Sequence, residues 1–293
     1  MHSRKGNCGR GRLNILYGVA EDIGLRPDME DAHAIFDIQE EGLFSAEVYD
    51  GHGGRDAAYA ASEMLTPHFL SLLRSERSRP ASDKRPDHEL LREAYLAADR
   101  YMTDRGIVSG TAAATCHIIG DRFFAANVGD SRVVLGVRRD AVQLTLDHKP
   151  NVPAERLRIE SLGGVVITHA VPRVQGILAM SRALGDRVLK PYVSGEPRIV
   201  EGLLGSENDF AIVACDGVWD VLTPKDVIGV ARDVGDPQPA AERIVAKALG
   251  AGSGDNVTVI VLDLRQHTAQ LARKKMEILA VLDQANEMDV SRE

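Results

Sequence analysis

The chain has 293 residues, a net charge of −8, a pI near 5.6, 44% hydrophobic residues and only 4% aromatics. That balance excludes a general nucleic-acid binder, which needs clustered positive charge to displace counterions and aromatic platforms on which bases stack. The apolar fraction is ample for a packed core and excludes disorder as the state of the whole chain.

Three cysteines, Cys8, Cys116 and Cys215, are odd in number and far apart. They read as free thiols in a reducing compartment, with Cys116 and Cys215 as small core residues in apolar runs. No apolar run reaches the ~18 residues that a membrane span needs. No apolar signal core follows the basic start either. The expectation is a cytoplasmic protein, with the nucleus open to a eukaryotic chain, that engages neither membrane nor nucleic acid and is a monomer.

In chain order, residues 1–11 are polar and basic and are expected to be flexible. Strands are expected at Leu13–Ala20, Ala32–Ile38 and Leu43–Tyr49, the last two joined as a hairpin by the turn Gln39 to Gly42. Helical spacing of Ala58, Ala61, Leu65, Phe69 and Leu72 predicts a helix from Arg55 to Leu73, kinked or split at Pro67. A second helix is predicted over Asp87–Asp104, with Leu90, Leu91, Ala94, Tyr95, Ala98 and Tyr101 on one side.

Four short strands follow, at Ala112–Ile119, Phe123–Val128, Arg132–Val137 and Val142–Leu146, with turn signals at Gly120-Asp121 and Arg139-Asp140. Pro153–Leu162 reads as a short helix ended by Gly163-Gly164. A mixed segment spans Val165–Leu178. Strands return at Ile199–Glu201 and Phe210–Cys215, helices at Lys225–Val234 and Pro239–Leu249, and a closing strand at Val257–Leu264. Thr268–Asp289 forms a charged amphipathic helix, expected to pack back on the domain or stand exposed. Helices come in pairs between runs of strands, which is not the strict alternation of a parallel α/β sheet. The fold class expected is α+β, two antiparallel sheets packed face to face with helices outside.

Acids recur with glycines at the boundaries of these strands. Glu30 and Asp31 stand before one strand, Asp50-Gly51-His52-Gly53-Gly54 follows another, and Asp130 lies between two. Asp216-Gly217 ends the run Phe210–Cys215, and Gly254-Asp255-Asn256 precedes the final strand. Several carboxylates brought together without a cation raise one another's pKa values and weaken the fold. If they converge, an all-oxygen set points to magnesium or manganese rather than zinc.

Seven segments in order carry a resemblance. They are Arg26-Pro27-Asp28-Met29-Glu30-Asp31-Ala32-His33, Asp50-Gly51-His52-Gly53-Gly54, Ala126-Asn127-Val128-Gly129-Asp130-Ser131-Arg132, Asp147-His148-Lys149-Pro150, Met180-Ser181-Arg182-Ala183-Leu184-Gly185-Asp186, Cys215-Asp216-Gly217-Val218-Trp219-Asp220 and Gly254-Asp255-Asn256-Val257-Thr258. Together they resemble the ordered motifs of the metal-dependent type 2C protein serine/threonine phosphatases. The match runs from about Leu13 to Leu264.

The resemblance implies a β-sandwich of two antiparallel sheets flanked by helix pairs on both sides. It implies a phosphatase catalytic domain over residues 12–265; the amphipathic helix over 266–293 lies beyond it and carries no motif of the family. It implies phosphorylated proteins as substrates, hydrolysed by a metal-activated water at a binuclear Mn2+ or Mg2+ site, without a phosphoenzyme. By position, Asp50 would bridge both ions, the Gly51 carbonyl would bind one, Asp216 and Asp255 would complete one, and Glu30 would serve the other. Asp130 would help hold a third ion. Asp31 and Asn256 would orient the ligands. Arg26 would grip the substrate phosphate, and His52 would protonate the departing oxygen. The metal chemistry by itself also admits a hydrolase of small phosphoesters, and a non-catalytic phosphoprotein-binding relative is the third reading.

Overall fold

A computed structural model describes residues 13–290 of the chain, with side chains up to Leu279. The basic stretch 1–11, with Cys8, lies outside the described residues.

The chain opens with β1 (Leu16–Asp22), β2 (Ala32–Ile38) and β3 (Leu43–His52). Gln39–Glu41 turn as one 3-10 step, and Gly42 follows at φ 58°, a left-handed conformation that glycine adopts without Cβ strain. Next come α1 (Asp56–Arg77), α2 (Asp87–Asp104), β4 (Gly110–Ile119), β5 (Arg122–Val128), β6 (Arg132–Val137) and β7 (Asp140–Gln143). The middle of the chain carries α3 (Pro153–Ser161), β8 (Val166–Thr168), β9 (Pro172–Val174), β10 (Leu184–Gly185) and β11 (Arg198–Leu203). The last part holds β12 (Asn208–Ala214), α4 (Asp216–Trp219), α5 (Pro224–Val234), α6 (Pro237–Gly250), β13 (Val257–Asp263) and α7 (Arg265–Val290).

Two large antiparallel sheets result, with a small two-stranded sheet of β8 and β9 beside them. One has the order β1-β13-β12-β6-β7, and the other β11-β5-β4-β3-β2 with β10 added beside β4. Side chains alternate faces along each strand. Phe44, Ala46 and Val48 of β3 therefore meet Val213, Ile260 and Leu262 between the sheets, while Leu43 and Tyr49 face α1 and α2. On the opposite outer face α4, α5 and α6 cover the first sheet through Trp219, Ile228, Ile244 and Val245. The α+β sandwich with helix pairs on both sides is thus the architecture found.

Several elements differ from expectation in their course or their ends. α1 is one helix through Pro67. The donor and the room that proline removes are outweighed by the packing of Ala58, Ala61, Leu65, Phe69 and Leu73 along one buried face. The strand after β6 begins at Asp140 and ends at Gln143, because a tight hairpin pairs Val137 with Asp140. β1 runs from Leu16 to Asp22, in register with the whole of β13. β3 continues past Tyr49 to His52, since Gly110 and Thr111 of β4 go on pairing with it.

Candidate functional site

In an antiparallel sandwich alternate connections fall at the same end. That arithmetic gathers the boundary acids. Asp50 lies in the last turn of residues of β3, and Glu30 and Asp31 precede β2, its hairpin partner. Asp130 occupies the β5–β6 turn. Asp216 opens α4 one residue after β12, and Asp255 precedes β13, whose Val259 pairs with Ala214. Arg26 leaves β1 at the end where Asp22 pairs with Val257. Arg26, Glu30, Asp50, Gly51, His52, Asp130, Asp216, Asp255 and Asn256 consequently line a single pocket.

At its centre Asp50, Asp130 and Asp216 each offer a carboxylate oxygen within 4.8 Å of the others. Loss of solvation, and then the charge of Asp216, hold the Asp50 carboxyl well above the usual carboxylate range. Burial and the charge of Asp130 push Asp216 up to about 7. Asp130 receives the Lys149 ammonium on one oxygen, and its other oxygen is buried with no partner among the described residues. Burial disfavours the Lys149 charge, but Asp130 outweighs it and keeps the ammonium pKa above its ordinary value.

Asp31 stands behind this trio rather than in the pocket lining. It is buried, accepts from Thr258 Oγ1 at 2.7 Å, and is raised by burial to about 6. Its neighbour Cys215 receives Thr258 N–H at 3.1 Å on Sγ. Burial, then the charge of Asp31, drives that thiol well above its usual pKa, which disfavours a thiolate ligand.

The backbone brings the chain segments very close. A Cβ on Gly51 would lie 2.2 Å from the Glu30 carbonyl oxygen, and one on Gly217 would lie 2.0 Å from that of Asn256. Glu30 Oε1 accepts Gly54 N–H at 2.7 Å. Asn256 is the clasp between segments. Its Oδ1 accepts Glu30 N–H at 2.8 Å, and its amide donates to the carbonyls of Ile23 at 2.9 Å and Asp28 at 3.1 Å. Arg26 is half-exposed and donates from Nη2 to Asp255 Oδ2 at 2.6 Å. Its acidic partner is therefore Asp255, and not the nearer Asp28 or Glu30.

Three residues of the pocket, and a fourth behind it, have no role in the sequence reading. Lys149 and Asp220 line it, Arg173 of β9 reaches it from the small β8–β9 sheet, and Asp186 contacts His52. Lys149, Asp186 and Asp220 lie inside the recognisable segments, so a signal was present. Spacing alone does not say that they face the acids. Arg173 has no such signal.

All-oxygen donors, mutually raised carboxyls and the orphaned buried oxygen of Asp130 fit a hard divalent cation. The family model described as "Protein phosphatase 2C" matches residues 16–257. "Probable protein phosphatase 2C 11" of Arabidopsis thaliana is 40% identical over 257 residues, covering 85% of this chain and 67% of that protein. "Probable protein phosphatase 2C 59" of the same plant is 36% identical, covering 89% of this chain and 85% of its own. Among solved structures, a C. elegans sex determining protein superposes with a TM-score of 0.78 at 28% identity, over 88% of this chain and 67% of that one. The serine-threonine phosphatase 2C from Toxoplasma gondii superposes at 0.75 with 22% identity, over 87% and 96%, a likeness of fold.

Proposed function

Because the chain belongs to the protein phosphatase 2C family, and is thus a metal-dependent protein serine/threonine phosphatase, we propose that the acid-lined pocket is its catalytic centre and that two Mn2+ or Mg2+ ions, with room for a third, occupy it. The observation that carries this reading is the convergence of Asp50, Asp130 and Asp216 from three separate strand ends. Asp50, the Gly51 carbonyl, Glu30, Asp216 and Asp255 would hold the two ions, and Asp130 would hold the third. When bound, the ions supply charge neutralisation and an activated water for in-line attack on phosphorus.

The chain's own groups do the rest. Arg26 presents a planar guanidinium at the pocket mouth, suited to two phosphate oxygens at once. Seating phosphate there would trade its contact with Asp255 and leave that carboxylate free to hold a cation. Lys149 steadies Asp130. His52 delivers the proton that the departing serine or threonine oxygen needs. Asp31, through Thr258, and Asn256, through its clasp, keep the ligand segments in register.

The test is phosphate release from a phosphothreonine peptide with Mn2+ present. EDTA abolishes release, and Asp216→Asn lowers it by at least about 10²-fold, the scale of a lost charge-stabilising group. Release that persists in EDTA contradicts the reading. Nucleotides turned over faster than phosphopeptides would favour the small-phosphoester alternative.

A further inference from the structure

Three segments meet at one side of the pocket. Gly110 of β4 pairs with His52 of β3 on one flank and with Gly185 of β10 on the other. Asp186 N–H donates to the Ser109 carbonyl at 3.2 Å, and Ser109 Oγ accepts Ala57 N–H at 3.0 Å. Cβ atoms on Gly53 and Gly54 would stand 4.0 Å and 3.6 Å from Ser109. The chain leaving β3, the loop from α2 into β4 and the turn after β10 therefore form one rim. His52 and Gly53 of that rim line the pocket.

Each segment places an exposed arginine on the rim. Arg55 follows Gly54, Arg105 ends α2 and Arg187 follows Asp186. A Cβ on Gly106 would lie 3.7 Å from Arg187 Nη1, so Arg187 reaches the residue next to Arg105. Arg105 lies over the Tyr101 ring at 4.2 Å and Arg55 over the Tyr59 ring at 5.4 Å. A guanidinium stacked on a ring keeps its in-plane N–H donors available.

None of the three pairs with a carboxylate among the described residues. Inside the pocket, by contrast, Arg26 has Asp255 and Lys149 has Asp130. Asp56 and Asp104, which adjoin Arg55 and Arg105 in sequence, are exposed and make no ion pair with them, so an incoming anion displaces no carboxylate. Arg55 also occupies the N-cap of α1, where the helix dipole disfavours a cation. The fold itself gains nothing from positive charge there. In a chain of net charge −8, three unpaired cations beside the pocket make a local field that draws anions.

We propose that this rim of Arg55, Arg105 and Arg187 is the docking surface for an acidic segment of the substrate protein, a role that rests on the phosphatase reading above. Aspartate or glutamate side chains near the phosphoserine or phosphothreonine seat on the three guanidinium groups. Arg55 stands three residues after His52, and Arg187 one residue after Asp186, whose carboxylate lies 2.8 Å from His52. An extended chain spans at most about 3.3–3.6 Å per residue, which puts the rim within reach of positions up to about four residues from the phosphorylated one.

The test compares phosphothreonine peptides on the full chain with Mn2+ present. One peptide has alanine and glutamine around the phosphothreonine, a second has aspartates before it and a third has aspartates after it. Exposed charge pairs are weak one at a time, so three together are expected to lower KM by about 10-fold for one of the acidic peptides, with kcat within about 2-fold. Raising the salt from about 0.05 M to about 0.3 M removes most of that gain. The triple variant Arg55→Gln, Arg105→Gln, Arg187→Gln loses the gain. It keeps kcat/KM on the neutral peptide and on p-nitrophenyl phosphate within about 2-fold, because exchanges at exposed positions disturb the fold little. Glutamate at the same three positions makes the acidic peptide poorer than the neutral one.

Equal KM for all three peptides overturns the proposal, as does a gain that the triple variant retains or that high salt leaves untouched. A gain from a second phosphothreonine but not from aspartates overturns the assignment to carboxylates. Failure of the unmodified protein to release phosphate from any of these substrates sinks the phosphatase reading itself. Fluorescence anisotropy of a labelled acidic peptide then decides the rim alone: weaker binding by the triple variant supports it, and equal binding discards it.

Discussion

At the scale of single residues the site is a set of carboxyls that the bare fold holds at a cost. Asp31 and Asp216 sit at about 6 and about 7, and Asp50 is held well above the usual carboxylate range, in each case chiefly by burial. A raised carboxyl means that the folded chain binds more protons than the unfolded one. The contribution of these acids to the stability of the metal-free protein is therefore fully present below the ordinary carboxylate pKa and is lost as pH rises through about 7. A divalent ion binds the ionised set and reverses that loss. The rise in Tm on adding Mn2+ is expected to be larger at pH 8 than at pH 5.5, as differential scanning fluorimetry can measure. A shift independent of pH would contradict this account. Gly217 is the second residue-scale case. A methyl group there meets the Asn256 carbonyl at 2.0 Å, backbone against backbone. Gly217→Ala is expected to destabilise by about 1–3 kcal/mol and to blunt the Mn2+ shift, as chemical unfolding with and without the ion reports.

At the scale of elements, β3 carries a second buried acid that faces away from the pocket. Glu47 lies on the helix side of the sheet, three residues before Asp50. It accepts from Ser45 Oγ at 2.8 Å, from Tyr49 OH at 2.7 Å and from the Thr66 hydroxyl of α1. Tyr95 of α2 and His117 of β4 complete the cluster through Thr115. Burial pushes Glu47 from 4.5 up to about 7, which corresponds to about 3 kcal/mol between the two protonation states. Its contribution to stability is fully present below 4.5 and is lost as pH rises through about 7. Burial also drives His117 down to about 3, which works the other way, since stability falls as pH drops below its ordinary range. Glu47→Gln leaves the histidine effect in place and removes the acid's. The variant's Tm relative to the parent is expected to climb by several degrees between pH 5 and pH 8. A flat difference across that range would show that Glu47 stays ionised at little cost.

At the scale of the whole molecule, the sandwich ends at β13 and α7 leaves it as an arm. His267 Nε2 contacts the Gly120 carbonyl at 2.8 Å, Thr268 bonds the Asn208 carbonyl at 3.3 Å, and Leu271 packs against the core between the sheets. From Arg273 to Leu279 every residue is exposed. Ending the chain after Ala272 is expected to move Tm by less than about 2 °C, whereas ending it after Leu264 costs more than about 1 kcal/mol by uncovering Leu271's site. Calorimetry on the two truncations separates a docked first turn from a dispensable arm.

The division between chain and fold follows from the range of each interaction. Alternation of apolar residues, glycine at turns and acids at strand ends are local signals. They sufficed for the β-sandwich, for α2 to the residue, for the resemblance to the phosphatase family and for naming Asp50, Asp216 and Asp255 as ligand candidates. The contacts between distant segments needed the tertiary structure. Arg26 finds Asp255 across 229 positions and His52 finds Asp186 across 134. Neither pairing leaves a mark in the spacing of either segment, because it depends on which strand ends share one end of the sandwich. Pro67 shows the same limit inside one element, where the local penalty predicts a break and burial of a whole helix face overrides it.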